Sequence, residues 1–169
     1  MSYLTGLFKD KESADRAYRS ASEAGYSSEN INVVMSEETR ERYYGKNVTL
    51  ETEAGNKASE GATVGGVAGA TIGAIAAAVV AIGTTLVLPG LGIWVAGPLA
   101  AGLAGAGAGG VTGGIVGALI GWGIPEDRLK EYEQGIKEGG ILIGIEPRTD
   151  EDRRRLETEW GNPGIKTNT

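Results

Sequence analysis

The stretch Gly61-Ala-Thr-Val-Gly-Gly-Val-Ala-Gly-Ala-Thr-Ile-Gly73 repeats glycine at every fourth position. Residues four apart lie on one face of an α-helix, so this spacing predicts a helix with a flat stripe of small residues. A second stripe with the same spacing begins at Gly97. The glycines of the two stripes are Gly61, Gly65, Gly69, Gly73, Gly97, Gly105, Gly109, Gly113, Gly117 and Gly121. Because such stripes let two helix backbones approach closely, we expect the helices to pack stripe to stripe as an antiparallel hairpin.

Larger apolar side chains occupy the other faces of both predicted helices. They are Ile72, Ile75, Val79 and Ile82 on the first helix, and Leu103, Val111, Ile115, Leu119 and Trp122 on the second. Pro89-Gly90 and Gly97-Pro98 are expected to bracket the turn between the helices.

Charge separates this segment from the rest of the chain. None of the 16 basic and 22 acidic residues lies between 61 and 124. An interior helical glycine costs about 0.8–1 kcal/mol relative to alanine in water, so ten of them cost roughly 10 kcal/mol. That cost matches the whole stability of a typical domain. We therefore expect the segment to be buried, either in a membrane, where unpaired backbone groups make helices obligatory, or in an oligomer.

The membrane interpretation is supported by segment length. Gly61–Ile82 and Pro98–Trp122 both reach the span of about 20 residues that a bilayer requires. Trp94 near the tip and Trp122 near the base are candidate interface anchors, with ordinary packing as the alternative. The tip, residues 83–97, is apolar and uncharged, so the hairpin would dip into the bilayer without emerging or be capped by neighbouring copies.

The charged flanks have the pattern of a small α/β domain. Strands are predicted at Tyr3–Phe8, Ile31–Met35 and Ile141–Ile145, with helices between and after them. Asp10 and Thr149 are candidate helix N-caps, and Gly25 suits a helix C-terminus. The predicted fold class is α+β, a ferredoxin-like (split β-α-β) head interrupted by the glycine-zipper hairpin. Residues 1–60 form its first half plus a linker, 61–124 the hairpin, and 125–169 the second half and tail.

Composition excludes several classes of function. The chain has no cysteine and no histidine, which removes disulfides, Cys/His zinc sites and Cys or His nucleophile–base pairs. Its net charge of −6 disfavours nonspecific nucleic-acid binding. No secretory signal is recognisable at the N-terminus, so we expect a cytoplasmic head. We predict no catalytic residue, no cofactor site and no metal site, and hence no enzyme.

Several short motifs together resemble a known family over about residues 1–147. They are Gly6-Leu-Phe8, Gly25-Tyr26, Ile31-Asn-Val-Val34, Gly55-Asn-Lys-Ala-Ser-Glu-Gly61, Leu88-Pro-Gly-Leu-Gly92, Ala96-Gly-Pro-Leu-Ala100, Gly121-Trp-Gly-Ile-Pro-Glu126 and Gly139-Gly-Ile-Leu-Ile143. In these the chain is similar to bacterial general-stress and low-temperature-induced proteins that carry a glycine-zipper insertion. The resemblance implies a stress-associated, non-enzymatic protein that associates with membranes. Members of that family continue with a longer helix and a closing strand, and this chain departs from them after Trp160.

Two functional hypotheses follow. The first is a structural protein that self-associates through the hairpin, which inserts into or scaffolds a membrane, with itself and membrane lipid as partners. The second is a soluble homo-oligomeric ligand-binding or regulatory protein in the cytoplasm, with the hairpins buried in a common core.

Overall fold

The structure is a computed structural model that describes residues 3–44, 75, 85–88, 92–100, 119–120, 124 and 126–161. The described part is an α+β fold with a single antiparallel sheet and helices packed against it. Its elements in chain order are β1 (Leu4–Phe8), α1 (Lys11–Glu23), a 3₁₀ turn (Ser28–Asn30), β2 (Ile31–Ser36), α2 (Glu37–Tyr44), β3 (Thr85–Leu88), β4 (Ile93–Ala96), α3 (Glu126–Lys137), β5 (Ile141–Ile145) and α4 (Asp150–Glu159).

The sheet has five strands in the order β1-β5-β2-β4-β3, and all neighbouring strands are antiparallel. Strand β5 lies between β1 and β2, since Ile143 is opposite Gly6 on one side and Val33 on the other. Strands β1 and β2 are thus parallel to each other and connected through α1. The three strands predicted in the flanks are confirmed.

Alternate residues of each strand point to opposite sides of the sheet, and both sides are buried. The first face carries α1 and α4 against strand residues such as Val33 and Ile143. The second face carries α3, through Leu129, Tyr132 and Ile136, against strand residues such as Val34 and Leu142. Burial on both faces explains the near-continuous apolar sequences of β2 and β5.

The predicted ends of the flanking helices are confirmed. The Asp10 carboxylate accepts a hydrogen bond from the Ser13 backbone N–H at 2.8 Å and caps α1. The Thr149 hydroxyl accepts one from the Asp152 N–H at 3.0 Å and caps α4. Gly25 follows α1 with a φ of 87°, the left-handed conformation that favours glycine after a helix.

The predicted hairpin tip is wrong: it contains two strands in place of a turn between helices. Strands β3 and β4 pair with each other, and β4 also pairs with β2, with Trp94 opposite Met35. The physical reason is local, because β-branched and aromatic residues on either side of Pro89-Gly90 form the pattern of a β-hairpin. An apolar, uncharged stretch suits a buried strand as well as a buried helix, and β2 offers it a free edge.

Helical structure brackets this β-hairpin at the described positions. Ile75 lies in a helix, as do Pro98–Ala100 and Leu119–Ile120. Ile75 belongs to the core of the first face, whereas Ala100 and Leu119 belong to the core of the second. At these positions each helix therefore packs against its own face of the sheet. The other positions of the two predicted zipper helices lie outside the described residues, and so does the predicted stripe-to-stripe contact along their length.

Candidate functional site

Two of the predicted site residues, Trp94 and Gly97, fall among the described residues. Trp94 lies in β4 with 5% of its surface exposed and packs in the core of the first face, which is the packing alternative that the sequence left open. The other predicted residues lie outside the described part of the chain. They are Gly61, Gly65, Gly69, Gly73, Gly105, Gly109, Gly113, Gly117, Gly121 and Trp122.

Gly97 lies at a turn and not within a helical stripe, which corrects its assignment to the zipper. Its φ is 98°, and it connects β4 to the helix that begins at Pro98. A Cβ atom at this position would collide with the carbonyl oxygen of Ile31 and lie 3.1 Å from the Cα atom of Asn32. Glycine is thus required here by backbone conformation and by the close approach of β2.

Asn32 connects the same helix to the sheet. Its side chain is 1% exposed and points to the second face, where its Oδ1 atom accepts a hydrogen bond from the Leu99 backbone N–H at 2.8 Å. Its Nδ2 atom donates to the Gly144 carbonyl oxygen at 3.4 Å. The first N–H groups of a helix have no partner within the helix, so Asn32 supplies one from a neighbouring strand.

Asp15 makes the corresponding contact on the first face. It lies on α1 with 9% of its surface exposed, and its Oδ1 atom accepts a hydrogen bond from the Ile75 backbone N–H at 3.2 Å. The spacing of Asp15 with Lys11 and Glu12 in the sequence predicts a solvent-exposed face of α1, and the burial of Asp15 shows that this prediction is wrong. The Ile75 side chain is fully buried and belongs to the same core as the apolar face of α1.

The surroundings of Asp15 are aromatic and basic. The Tyr44 hydroxyl is buried beside the carboxylate and makes no hydrogen bond within 3.5 Å among the described residues. The Lys11 ammonium lies 5.1 Å from the centre of the Tyr44 ring. Burial raises the pKa of Asp15, whereas the Ile75 N–H, the charges of Lys11 and Arg19, and the Tyr44 hydroxyl act in the opposite direction. Burial and then the Asp15 charge raise the pKa of Tyr44, which is therefore a neutral phenol.

The two contacts tie the central segment to the head on opposite sides of the sheet. We call them the Asp15 clamp (Asp15 to the Ile75 N–H) and the Asn32 clamp (Asn32 to the Leu99 N–H). Neither residue was identified from the sequence as functional. The role of Asn32 could have been found from the sequence, because a polar residue interrupts the apolar sequence of β2. Asp15 gives no such signal, since it follows the ordinary pattern of an exposed helix face.

A cavity of about 630 Å³ lies beside β1, between α1, α3 and the end of α4. Two of its three acidic residues have structural roles. Asp10 caps α1, and Glu159 forms an ion pair with Arg155 at 2.9 Å. Tyr132 in its wall is hydrogen bonded to the Thr5 hydroxyl at 3.0 Å. The Ser13 hydroxyl, also in the lining, donates a hydrogen bond to the Asp10 carboxylate at 3.0 Å as part of the cap of α1.

A second cavity, of about 490 Å³, lies at the opposite end of the sheet. There the Tyr26 hydroxyl donates to the Asp152 carboxylate and accepts a hydrogen bond from the Arg148 backbone N–H. The Arg148 guanidinium lies 4.6 Å from the centre of the Tyr26 ring and donates to the Gly25 carbonyl oxygen. These contacts join α4 to the end of α1, so Tyr26 and Arg148 have structural roles in this cavity.

Two further properties concern the described residues as a group. They contain no cluster of three or more acidic side chains placed to hold a metal ion. Within the same ranges, no helix has both the length and the apolar character needed to cross a bilayer.

Comparison with known proteins adds no relative. No family model, no curated protein and no solved structure matches this chain.

Proposed function

We propose that this chain is a non-enzymatic, stress-associated structural protein that self-associates through glycine rows presented by its head domain. The observation that supports the proposal is the burial of the helical residues Ile75 and Leu119 in the cores on the two faces of the sheet. Its association with stress rests on the family resemblance alone.

Helix geometry predicts where the glycines near these two residues lie. Each residue rotates by about 100° around the helix axis, so a residue two positions away lies about 200° round the helix. Gly73 is two positions from Ile75, and Gly117 and Gly121 are each two positions from Leu119. In a continuous helix these glycines are therefore expected to face away from the head. Ile120, one position after Leu119, supports this orientation because 52% of its surface is exposed.

A row of small residues facing away from its own domain suits contact with another backbone. Close helix approach in a second copy would bury the row and offset the cost of the helical glycines. This orientation changes the first expectation, since the rows would pack between chains instead of within one chain. The head that presents them is proposed to be ferredoxin-like, with β1-α1-β2 as its split β-α-β unit around β5.

Lipid is the second proposed partner. The segment between residues 61 and 124 carries no charge, so a cluster of such segments could lie in or against a bilayer without burying a charged group. We therefore propose a membrane-associated protein with a cytoplasmic head. A soluble cytoplasmic oligomer that hides the same rows in a common core is the alternative, and it would bind a small ligand or regulate a partner.

The test is a leucine substitution within the second row. Gly117→Leu should convert the wild-type assembly to monomer, as measured by light scattering on size-exclusion chromatography with and without detergent. Its far-UV circular dichroism should remain that of the wild type. Ile120→Leu is the matched control, because it places leucine on the same helix at an exposed position. If Gly117→Leu protein assembles like the wild type, the rows are not the assembly surface.

Membrane extraction separates the two forms of the proposal. Alkaline carbonate should leave the wild-type protein in the membrane fraction if the hairpin is inserted, and should release it if the protein is a soluble oligomer.

A further inference from the structure

The cavity beside β1 has the size of a ligand pocket and combines an apolar part with a charged part. We propose that it binds a small carboxylate with an apolar body, whose charged end is held by Lys9 and Arg16. This inference goes beyond the proposed self-association, because the described lining of the cavity lies on the head and includes no glycine of the two rows.

The cavity lies where the sheet ends at β1. Its lining comes from α1 and the end of α4 on the first face, from α3 on the second face, and from β1 between them. Among the described residues β1 has a strand partner on one side only, which is β5. A space lined from both faces must therefore reach around this edge of the sheet, where side chains of the two faces meet.

The apolar part of the lining consists of Leu7, Phe8, Ala17, Tyr132 and Trp160. The Tyr132 hydroxyl is bonded to the Thr5 hydroxyl and the Trp160 indole N–H to the Ala17 carbonyl oxygen, so these side chains offer a ligand mainly apolar contact. The volume of about 630 Å³ falls within the roughly 300–1,000 Å³ of pockets that hold small organic molecules. This part suits the apolar body of such a ligand.

The acidic groups of the cavity are already engaged. The charged residues of the lining are Lys9, Arg16, Asp10, Glu131 and Glu159. Both oxygens of the Asp10 carboxylate accept hydrogen bonds from Ser13, and Glu159 is paired with Arg155 at 2.9 Å. Glu131 is not without a partner either. A cationic ligand would have to compete with these partners.

The two cations are differently placed. Lys9 and Arg16 are exposed, and within the described ranges neither has an ion-pair partner closer than 4.0 Å. Arg16 donates one long hydrogen bond, of 3.4 Å, to the Ser13 hydroxyl, which leaves most of its N–H donors for a ligand. Since a guanidinium can bind a carboxylate through two parallel hydrogen bonds, the cavity favours an anionic group beside Arg16 and an apolar body toward Trp160.

Three probes of one shape and different charge test the proposal on the full-length protein. They are naphthoate, naphthylmethanol and naphthylmethylammonium, substituted at the same ring position and titrated by isothermal calorimetry. Naphthoate should bind about tenfold more tightly than the alcohol, which corresponds to one charge-assisted hydrogen bond. The ammonium probe should bind most weakly. Equal affinities, tightest binding of the ammonium probe, or no binding of naphthoate overturns the proposal.

A pair of double variants locates the site. Lys9→Gln with Arg16→Gln should weaken naphthoate binding by about tenfold and leave naphthylmethanol binding unchanged. Arg19→Gln with Lys130→Gln is the matched control, because it removes the same two charge types from exposed positions of α1 and α3 outside the lining. If both pairs weaken naphthoate binding equally, or neither does, the cavity is not the site. These affinities do not involve the glycine rows, so a failed pocket and a failed row interface are distinguishable.

Discussion

Asn32 and Leu99 are joined by a 2.8 Å hydrogen bond from the Leu99 backbone N–H to the Asn32 side-chain oxygen. The bond crosses from the middle of the sheet to the first turn of the helix that begins at Pro98. A strand residue thereby caps a helix far from it in sequence. This contact fixes where the second central helix begins relative to the head, and it makes a fully buried polar residue necessary in β2.

Replacing Asn32 with leucine should destabilise the head. Leucine has a similar size but offers no acceptor to Leu99 and no donor to Gly144. Leaving a buried backbone N–H without a partner costs about 1–3 kcal/mol. The midpoint of urea unfolding, followed by circular dichroism, should fall accordingly without a change in the slope.

Asn30→Ala is the control for Asn32→Leu. Asn30 is exposed, and its side-chain oxygen accepts a hydrogen bond from the Ser27 hydroxyl at 2.9 Å. Its replacement should change the unfolding free energy by less than about 0.5 kcal/mol, as for most surface substitutions. Equal stability of the two variants would show that the Asn32 clamp contributes nothing.

Gly97 and Gly92 form a matched pair that separates steric collision from backbone conformation. Both have positive φ, 98° and 61° respectively. A Cβ at Gly97 collides with the Ile31 carbonyl oxygen, whereas a Cβ at Gly92 meets nothing within 4 Å. We expect Gly92→Ala to cost about 1–2 kcal/mol from its left-handed conformation alone.

Gly97→Ala should cost clearly more, because β2 and β4 must separate to accommodate the methyl group. Thermal unfolding of both variants measures the difference, and a shift of several degrees in Tm corresponds to about 1 kcal/mol in a domain of this size. The steric interpretation of Gly97 fails if the two alanine variants unfold at the same temperature.

The flanking elements could be predicted because their signals are local. Asp10 at the start of α1, Gly25 after its end and the apolar run Ile141–Ile145 each follow from capping, turn chemistry or burial within a few residues. The described structure confirms all three. The buried face of α3 is equally predictable from the sequence, since Leu129, Tyr132 and Ile136 recur at helical spacing.

The central segment could not be predicted in the same way. Periodicity does not distinguish a buried strand from a buried helix in a short apolar run, and β4 forms because β2 offers a free edge. That edge depends on the order of the strands, which no local pattern contains. The burial of Asp15 could not be predicted for a related reason, because its partner Ile75 lies 60 positions later in the chain.

Trp160 connects the end of α4 to the middle of α1, and its indole nitrogen is the feature that a phenylalanine would lack. The side chain is 6% exposed, and its Nε1–H donates to the Ala17 carbonyl oxygen at 3.1 Å and to the Ser20 hydroxyl at 3.0 Å. Its ring meets Phe8 edge to face at a centroid distance of 5.7 Å. Trp160→Phe should therefore lower the unfolding free energy by about 1–3 kcal/mol, through a lost hydrogen bond and a partly filled space.

A double-mutant cycle with Ser20→Ala separates these two causes. The Ser20 hydroxyl also donates to the Ala17 carbonyl oxygen at 2.9 Å, so the three groups form one small network next to the core. Urea unfolding of the two single variants and the double variant should give a coupling free energy of at least about 0.5 kcal/mol, as expected for residues in one network. Strict additivity would mean that the Ser20 hydroxyl contributes nothing through Trp160, which would leave the Ala17 carbonyl oxygen and packing as the sources of the Trp160 contribution.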